Sequence, residues 1–203
     1  METYAEDSLQ IIAFDIGIKN FAYCILNVAT KANTRSIQHL DLIDLGCKKG
    51  QPQKIMDAVL ELLDDIVYSK MNLQMKTVVL IESQMTSAMK AIQVAINVYF
   101  KLLGRYESLS VATKYMSPKL KLKLIEKYPD YKPASLDSDK TDSSYKKNNL
   151  DSVQFTYWLL ENKEIHPEIV QKIRRYKKKD DVCDACLMTF AAAECAQNYL
   201  KEL

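Results

Sequence analysis

The sequence is poor in glycine and histidine and has no long apolar run. Its 203 residues include only four Gly and two His. No apolar stretch approaches the roughly 18 residues that a membrane-spanning helix needs, so we predict no transmembrane segment. The N-terminus, METYAEDSLQ, is acidic and lacks the charged and apolar regions of a signal peptide.

The cysteines are five in number and lack the spacing of a disulfide framework. This pattern predicts reduced thiols in an intracellular protein. Cys183 and Cys186 form one CxxC pair, but no second pair follows and the only histidines are His39 and His166. We therefore interpret the pair as packing in a helix, not as a zinc site. A composition of 48% hydrophobic and 27% charged residues predicts a single soluble domain over residues 1–203.

Acidic residues follow two apolar runs and open a third segment. Asp15 ends the run IIAF, Glu82 ends VVLI, and Asp181 and Asp184 lie one helical turn apart near the C-terminus. Each has an ordinary explanation, as a turn former or as a favourable charge at a helix N-terminus. Two strands and a helix that present carboxylates to one point would form a cage for hard divalent cations such as Mg²⁺. The combination predicts a metal-dependent phosphodiesterase.

Hydrophobic periodicity predicts an α/β domain in which a mixed sheet is flanked by helices. The polar stretch at 129–149 predicts a flexible loop or insertion. The predicted strands are 11–15, 21–28, 39–45, 75–83 and 110–116, and the predicted helices are 55–68, 88–103, one starting at 117–118, 150–161 and 181–200.

Basic residues cluster in two segments although the net charge is only +2. Such runs are most often solvated surface, but one segment directly precedes Asp181, so a track for a phosphate backbone is the alternative interpretation. The first segment holds Lys172, Arg174, Arg175, Lys177, Lys178 and Lys179, and the second holds Lys119, Lys121, Lys123 and Lys127.

Three motifs, FDIGIKNFAY, IESQ and KKDDVCDACLM, resemble the RuvC-like branch of the ribonuclease H superfamily. The sequence is most similar to the Holliday junction resolvases of poxviruses and other large DNA viruses, over about residues 10–198. The resemblance implies a ribonuclease H-like fold and a viral crossover junction endodeoxyribonuclease. Such an enzyme is a homodimer that needs Mg²⁺, uses no nucleotide cofactor, and makes paired symmetric nicks in four-way DNA. The implied metal-binding and catalytic quartet is Asp15, Glu82, Asp181 and Asp184, with Asp180 as an alternative to Asp181.

Such a quartet would hold two Mg²⁺ ions about 4 Å apart, and Mn²⁺ is expected to substitute. One ion would activate a water and the other would stabilise the departing 3′ oxygen. The resemblance also implies a functional lysine, which we assign to Lys146 or Lys147. The expected DNA-binding set is Lys119, Lys121, Lys146, Lys147, Arg174, Arg175, Lys177 and Lys178. Candidates for stacking at an opened junction are Phe21, Tyr23 and Tyr145, with core packing as the alternative for the first two.

Other functions are open at this stage. A nuclease for other branched DNA or for RNA–DNA hybrids, and a non-catalytic junction-binding protein, are the main alternatives. Asp15-Ile16-Gly17 followed by Asn20 also occurs in actin-like ATP-binding proteins, but the glycines here do not cluster into phosphate loops. We expect an intracellular site: the host cytoplasm for a poxvirus-type enzyme, with the nucleus or mitochondrion as alternatives. For the apolar stripe Met89, Ile92, Ile96 and Phe100, the two interpretations are a dimer interface and packing on the sheet.

Overall fold

The structure is a computed structural model that describes residues 7–117, 120–132, 144–162 and 166–203, without the side chains of 120–122 and 144–149. Within these ranges the chain forms five strands and seven helices. In chain order they are β1 Ser8–Asp15, β2 Phe21–Ala29, β3 Thr34–Ile43, α1 Pro52–Ser69, β4 Lys76–Glu82, α2 Ser87–Tyr106, β5 Val111–Met116, α3 Leu120–Glu126, α4 Ser144–Asn162, α5 Pro167–Arg175, α6 Lys179–Ala193 and α7 Ala196–Glu202.

The described strands form one mixed sheet in the order β3-β2-β1-β4-β5. The first three strands are antiparallel to one another, whereas β4 runs parallel to both β1 and β5. Helices cover both faces, and this explains why β1 and β4 have nearly continuous apolar sequences. The predicted fold class, a mixed sheet flanked by helices, is confirmed.

Alternate residues of β1 pack into two separate cores. Leu9, Ile11 and Ala13 face α4 and α6, whereas Ile12 and Phe14 face α1 and α2. All five are fully buried. Helices on both faces of the sheet therefore hold β1 rigidly. The residue that follows Phe14 is held in a fixed position as well.

The segment at 129–149, predicted as a flexible loop or insertion, has a packed residue near its start and helical structure at its end. Helix α4 starts at Ser144, six residues before the predicted helix. Tyr131 is buried, and its ring centroid lies 5.0 Å from that of Phe155 and 5.5 Å from that of Trp158. Aromatic packing therefore fixes the start of this polar stretch, while residues 133–143 lie outside the described residues.

Other element boundaries also differ from the predictions. Strand β3 begins at Thr34, five residues before the predicted start. The prediction missed these residues because β3 is an edge strand with a mixed polar sequence. Helix α5 was not predicted, although Pro167 is well suited to the first turn of a helix. The predicted helix over 181–200 is two helices, α6 and α7, which separate at Glu194 and Cys195.

Packing on the sheet accounts for the apolar stripe of α2. Ile92, Ile96 and Phe100 are buried in the core of this subunit, so they are not available to a partner. Phe21 and Tyr23 are buried as well, and this excludes them as stacking groups. The two cysteines of the CxxC pair are buried in α6, as expected for packing residues. Among the described helices, none is both long and apolar enough to cross a bilayer.

Candidate active site

Asp15 and Glu82 are the last residues of two neighbouring parallel strands. The register pairs Phe14 with Ile81, so the two acids are the next pair along β1 and β4. Adjacent strands lie about 4.8 Å apart. Both side chains continue the alternation that packs against α6, and both residues are only 8% exposed. The sheet thus holds two carboxylates side by side in a largely desolvated position.

The position of this pair is the usual place for a ligand site in an open α/β sheet. At β1 the strand order reverses, because β2 lies on one side and β4 on the other. Ligands commonly bind beyond the carboxyl ends of strands at such a point. The chain leaves β1 through a tight turn, in which a Cβ on Gly17 would lie 2.6 Å from the carbonyl oxygen of Asn20. Only glycine allows the turn that follows Asp15.

Gln84 fixes the orientation of Glu82. Its side-chain Nε2 donates a hydrogen bond to Glu82 Oε2 at 3.0 Å, and its backbone N–H donates to Gln93 Oε1 of α2, also at 3.0 Å. Sequence reasoning used Gln84 only as part of a motif and gave it no role. The sequence could have indicated this role, because the side-chain amide of a Gln two residues after a strand-terminal acid can donate a hydrogen bond to that acid.

Helix α6 runs antiparallel to β1. Cys24, which pairs with Ala13 in the middle of the sheet, contacts Thr189 with 3.6 Å between Sγ and Oγ1. Further toward the helix C-terminus, Glu194 accepts a 2.7 Å hydrogen bond from Arg35, at the level where β1 begins. The N-terminus of α6 therefore points toward the end of β1 that carries Asp15.

Element geometry then places the acids of α6 at the same edge as the strand acids. Asp184 precedes Thr189 by a helical rise of about 7.5 Å. Asp15 lies beyond Ala13 by a strand rise of about 6.6 Å. The two displacements match, so Asp184 lies at the level of Asp15, and Asp181 lies about one turn further along the helix.

Burial and neighbouring charge disfavour ionisation of Asp181. The pKa of its carboxyl is raised to about 6, chiefly by burial and then by the charge of Asp180, with a smaller contribution from Asp184. Lys178 opposes this, but its Nζ lies 3.6 Å from Asp181 Oδ2 and instead donates a 2.7 Å hydrogen bond to Asp180 Oδ2. In the described part of the chain, Asp181 Oδ2 is buried without a hydrogen bond. A cation at this point would remove an unfavourable charge.

The donors fit a hard divalent cation in kind, since all are carboxylate oxygens and one is buried without a hydrogen bond. Their arrangement is not that of a finished metal site. Among the described residues, no three His, Cys, Asp or Glu side chains are grouped so that they could hold a metal ion as they stand. The structure thus places the acids at one edge of the sheet without closing them around a common point.

Known proteins resemble this chain in structure and not in sequence. No family model and no curated protein sequence matches it. The Holliday junction resolvase of fowlpox virus matches with a TM-score of 0.57 and 20% identity, over 92% of this chain and 99% of that one. The fowlpox virus resolvase in complex with substrate Holliday junction DNA gives 0.55 and 18%, over 92% and 97%. RuvC of Thermus thermophilus gives 0.53 and 12%, over 93% and 96%.

The chain shares its fold with these solved resolvases. This confirms the predicted mixed sheet flanked by helices. The match covers more than nine-tenths of the chain.

Most of the lysines expected to contact DNA lie in segments whose side chains are not described. Lys119 lies outside the described residues. Lys121 is in α3, and Lys146 and Lys147 are in the first turn of α4, but their side chains, like that of Tyr145, are not among those described. Their predicted roles stay predictions.

The basic segment before α6 divides into paired and exposed residues. Arg174 donates to Glu161 at 2.9 Å and lies over the ring of Tyr157, so it is part of the packing of α4 and α5. In contrast, Arg175 and Lys177 are exposed and make no ion pair with any described residue. Arg175 ends α5 and Lys177 lies in the connection that leads directly into the acids of α6.

Proposed function

We propose that this protein is a metal-dependent endonuclease that resolves four-way DNA junctions by hydrolysing phosphodiester bonds. One observation carries the proposal: the buried pair Asp15 and Glu82 ends two parallel strands at the edge toward which the N-terminus of α6 points. The fold is shared with a poxvirus resolvase and with RuvC, whose structures are those of junction-resolving proteins.

In this proposal Asp15, Glu82, Asp184 and Asp181 hold Mg²⁺, and Mn²⁺ substitutes, with Asp180 as the alternative to Asp181. A bound divalent cation would polarise the phosphate and lower the pKa of a bound water. Binding requires the helix carboxylates to approach the strand carboxylates, because the described side chains are not yet grouped around one point. Metal binding at Asp181 would also displace Lys178, or the proton whose binding the raised pKa of Asp181 favours.

The protein's own contribution is preorganisation and exclusion of water. Glu82 is oriented by Gln84, and Asp15 is held by a strand that is buried on both faces. Fixed groups of this kind do not have to reorganise when charge develops on the phosphate. We assign the neutralising cation to Lys146 or Lys147, as the sequence suggests. Arg175 and Lys177 are proposed to contact adjacent phosphates, together with Lys119 and Lys121.

The proposed assembly is a homodimer, because a four-way junction is two-fold symmetric and each chain has one acidic site. Since the inner stripe of α2 is buried, the interface must use another surface. Val94, Val98 and Leu102 follow one another at intervals of four residues on the outer face of α2, and they are 54%, 45% and 47% exposed. An exposed apolar stripe of this length is suited to packing against the same helix of a second subunit.

The test is cleavage of end-labelled substrates at equal concentration, with Mg²⁺ or with EDTA. We expect paired nicks in an immobile four-way junction, with Mg²⁺ only, and products with 5′-phosphate ends. Preferential cutting of a fork, or of an RNA–DNA hybrid, would assign a different nuclease specificity on this fold. Tight junction binding without any cleavage would assign a binding protein.

A further inference from the structure

A second concave surface lies at the same edge of the sheet but on the opposite face from α6. It is a groove of about 970 Å³, at the upper end of the range for ligand clefts. We call it the basic groove. Its lining comes from the turn after β1, the loop before α1, and the first turns of α1 and α2: Ile18, Lys19, Cys47, Lys48, Lys49, Gly50, Pro52, Ile55, Met56, Thr86, Ser87, Ala88, Met89, Ala91 and Ile92.

The basic groove has an apolar floor and a positively charged rim. Ile18, Ile55 and Ile92 are buried beneath it. Three exposed lysines, Lys19, Lys48 and Lys49, belong to its lining, which includes no acidic residue. None of these lysines forms an ion pair with the residues that the structure describes. The surface is therefore complementary to a ligand that is both apolar and negatively charged.

Backbone hydrogen bonds hold the walls of the basic groove in place. The N–H of Leu45 donates to the carbonyl oxygen of Ile18 at 3.0 Å, which ties the loop before α1 to the turn after β1. Lys48 and Gln51 exchange two further bonds, of 3.2 and 3.1 Å, across a turn in which Gly50 has a φ of +92°. The cleft is preformed, so a ligand does not have to order it.

Both walls are continuous with the strands that end in the acidic pair. Lys19 follows Asp15 by four residues through the tight turn, and Thr86 follows Glu82 by four residues at the start of α2. We propose that the basic groove binds nucleotides of the DNA strand that flank the cut phosphate, with their phosphates on the lysines and unpaired bases on the apolar floor. This inference rests on the proposed nuclease function and adds a substrate-binding site to it.

DNA fits these features better than a protein segment or a second subunit does. A nucleotide combines a planar apolar base with a phosphate, which matches a floor of Ile and Met with lysines at the rim. The phosphates of DNA would also supply the negative charges that these lysines lack among the described residues. An apolar helix from another copy of this chain could pack on the floor of the basic groove, but it would leave the three lysines at the rim without negatively charged partners.

Cys47 offers a direct test, because it lines the basic groove and is partly exposed, whereas Cys195 is exposed at the far end of α6. The other cysteines, Cys24, Cys183 and Cys186, are buried. Alkylation rates of both exposed thiols are measured by mass spectrometry in the Asp15→Asn protein, without and with an uncut four-way junction. With DNA at about ten times its Kd, labelling of Cys47 should slow about tenfold while Cys195 is unaffected.

Charge reversal gives a second readout. The double variant Lys48→Glu/Lys49→Glu should reduce the salt dependence of junction binding by about 1.4 in slope, because each phosphate of an unpaired strand that a lysine neutralises contributes about 0.7. The matched control is Lys201→Glu, an exposed lysine on α7 at the opposite edge of the sheet, which should leave the slope unchanged.

The outcomes separate the basic groove from the nuclease proposal. Junction binding with unchanged Cys47 labelling and unchanged salt slope would overturn the groove proposal and leave the nuclease proposal standing. Slower labelling of Cys47 at higher protein concentration without DNA would assign the groove to a second copy, which also overturns it. If the protein fails to bind any branched DNA, the proposed function itself is wrong.

Discussion

Asp181→Asn should stabilise the metal-free protein at neutral pH. The raised pKa of Asp181, from 3.8 to about 6, corresponds to about 3 kcal/mol of unfavourable free energy when the carboxylate is ionised in the folded state. Asparagine is isosteric and uncharged, so it avoids this cost. The raised pKa already includes the opposing attraction of Lys178, but solvent screens part of the cost because the Asp181 side chain is 22% exposed. We therefore expect a gain of about 1–3 kcal/mol in the free energy of unfolding, or about 2–4 °C in Tm for each kcal/mol.

The pH dependence follows from the direction of the shift. Because the folded state holds the proton more tightly, this group favours folding most below pH 4, and that contribution is lost as the pH rises through about 6. The stabilities of the wild-type protein and the Asn variant should therefore differ much less at pH 4.5 than at pH 7.5. Urea unfolding in EDTA at both pH values measures the difference.

Mg²⁺ should reverse the order of stabilities. At about 100 times its Kd, a ligand that binds only the folded state adds about 2.7 kcal/mol, and the wild type should gain this while the variant gains less. The Asp57→Asn variant is the control, since Asp57 is an exposed residue of α1 that accepts a hydrogen bond from Gln53 and is not part of the acidic site. If Asp181→Asn is less stable than the wild type in EDTA at pH 7.5, the inference that the ionised Asp181 carboxylate destabilises the folded state is refuted.

Three further results are expected. Glu82→Gln and Asp184→Asn should each abolish junction cleavage while gel-shift affinity stays near that of the wild type, since basic surface supplies affinity; near-normal cleavage by either would remove that residue from the site. Gln84→Ala, which removes a hydrogen bond to a carboxylate worth about 1.5–3 kcal/mol, should slow single-turnover cleavage about tenfold or more with little change in binding, and an unchanged rate would show that Gln84 does not position Glu82. Val98→Asp should convert a dimer to a monomer by light scattering, whereas a dimer of unchanged affinity would place the interface elsewhere.

The strand acids were predictable because burial leaves a clear pattern in sequence. Asp15 and Glu82 each end a run of apolar residues that is continuous because both faces of the strand are covered. The register that makes them neighbours was not predictable from the runs themselves. It depends on the parallel pairing of β1 with β4, which only the assembled sheet defines.

The two faces of α2 show a property that hydrophobic periodicity does not predict. The stripe through Ile92 and Ile96 and the stripe through Val94 and Val98 both have helical spacing and similar hydrophobicity. Periodicity identifies an apolar face but does not say whether the sheet or solvent covers it. The start of α4 was missed for a related reason: Ser144 begins a mostly polar turn with no apolar stripe to mark it.

The role of Gln84 depends on a contact between elements, and no local pattern indicates it. Its amide links a strand-terminal acid to Gln93, nine residues away on α2. The level of Asp184 relative to Asp15 is similarly a product of packing, set by the contact of Thr189 with Cys24 across 165 residues of sequence.

Single-turnover cleavage of a labelled four-way junction by the wild type and by Asp15→Asn, each with Mg²⁺ and with binding measured in the same samples, tests the central claim most directly. The claim is that the acids at the carboxyl edge of β1 and β4 form one catalytic site. We predict that both proteins bind the junction with similar affinity and that only the wild type cuts it, leaving 5′-phosphate ends. Cleavage of the junction by Asp15→Asn at a rate close to that of the wild type would contradict the account.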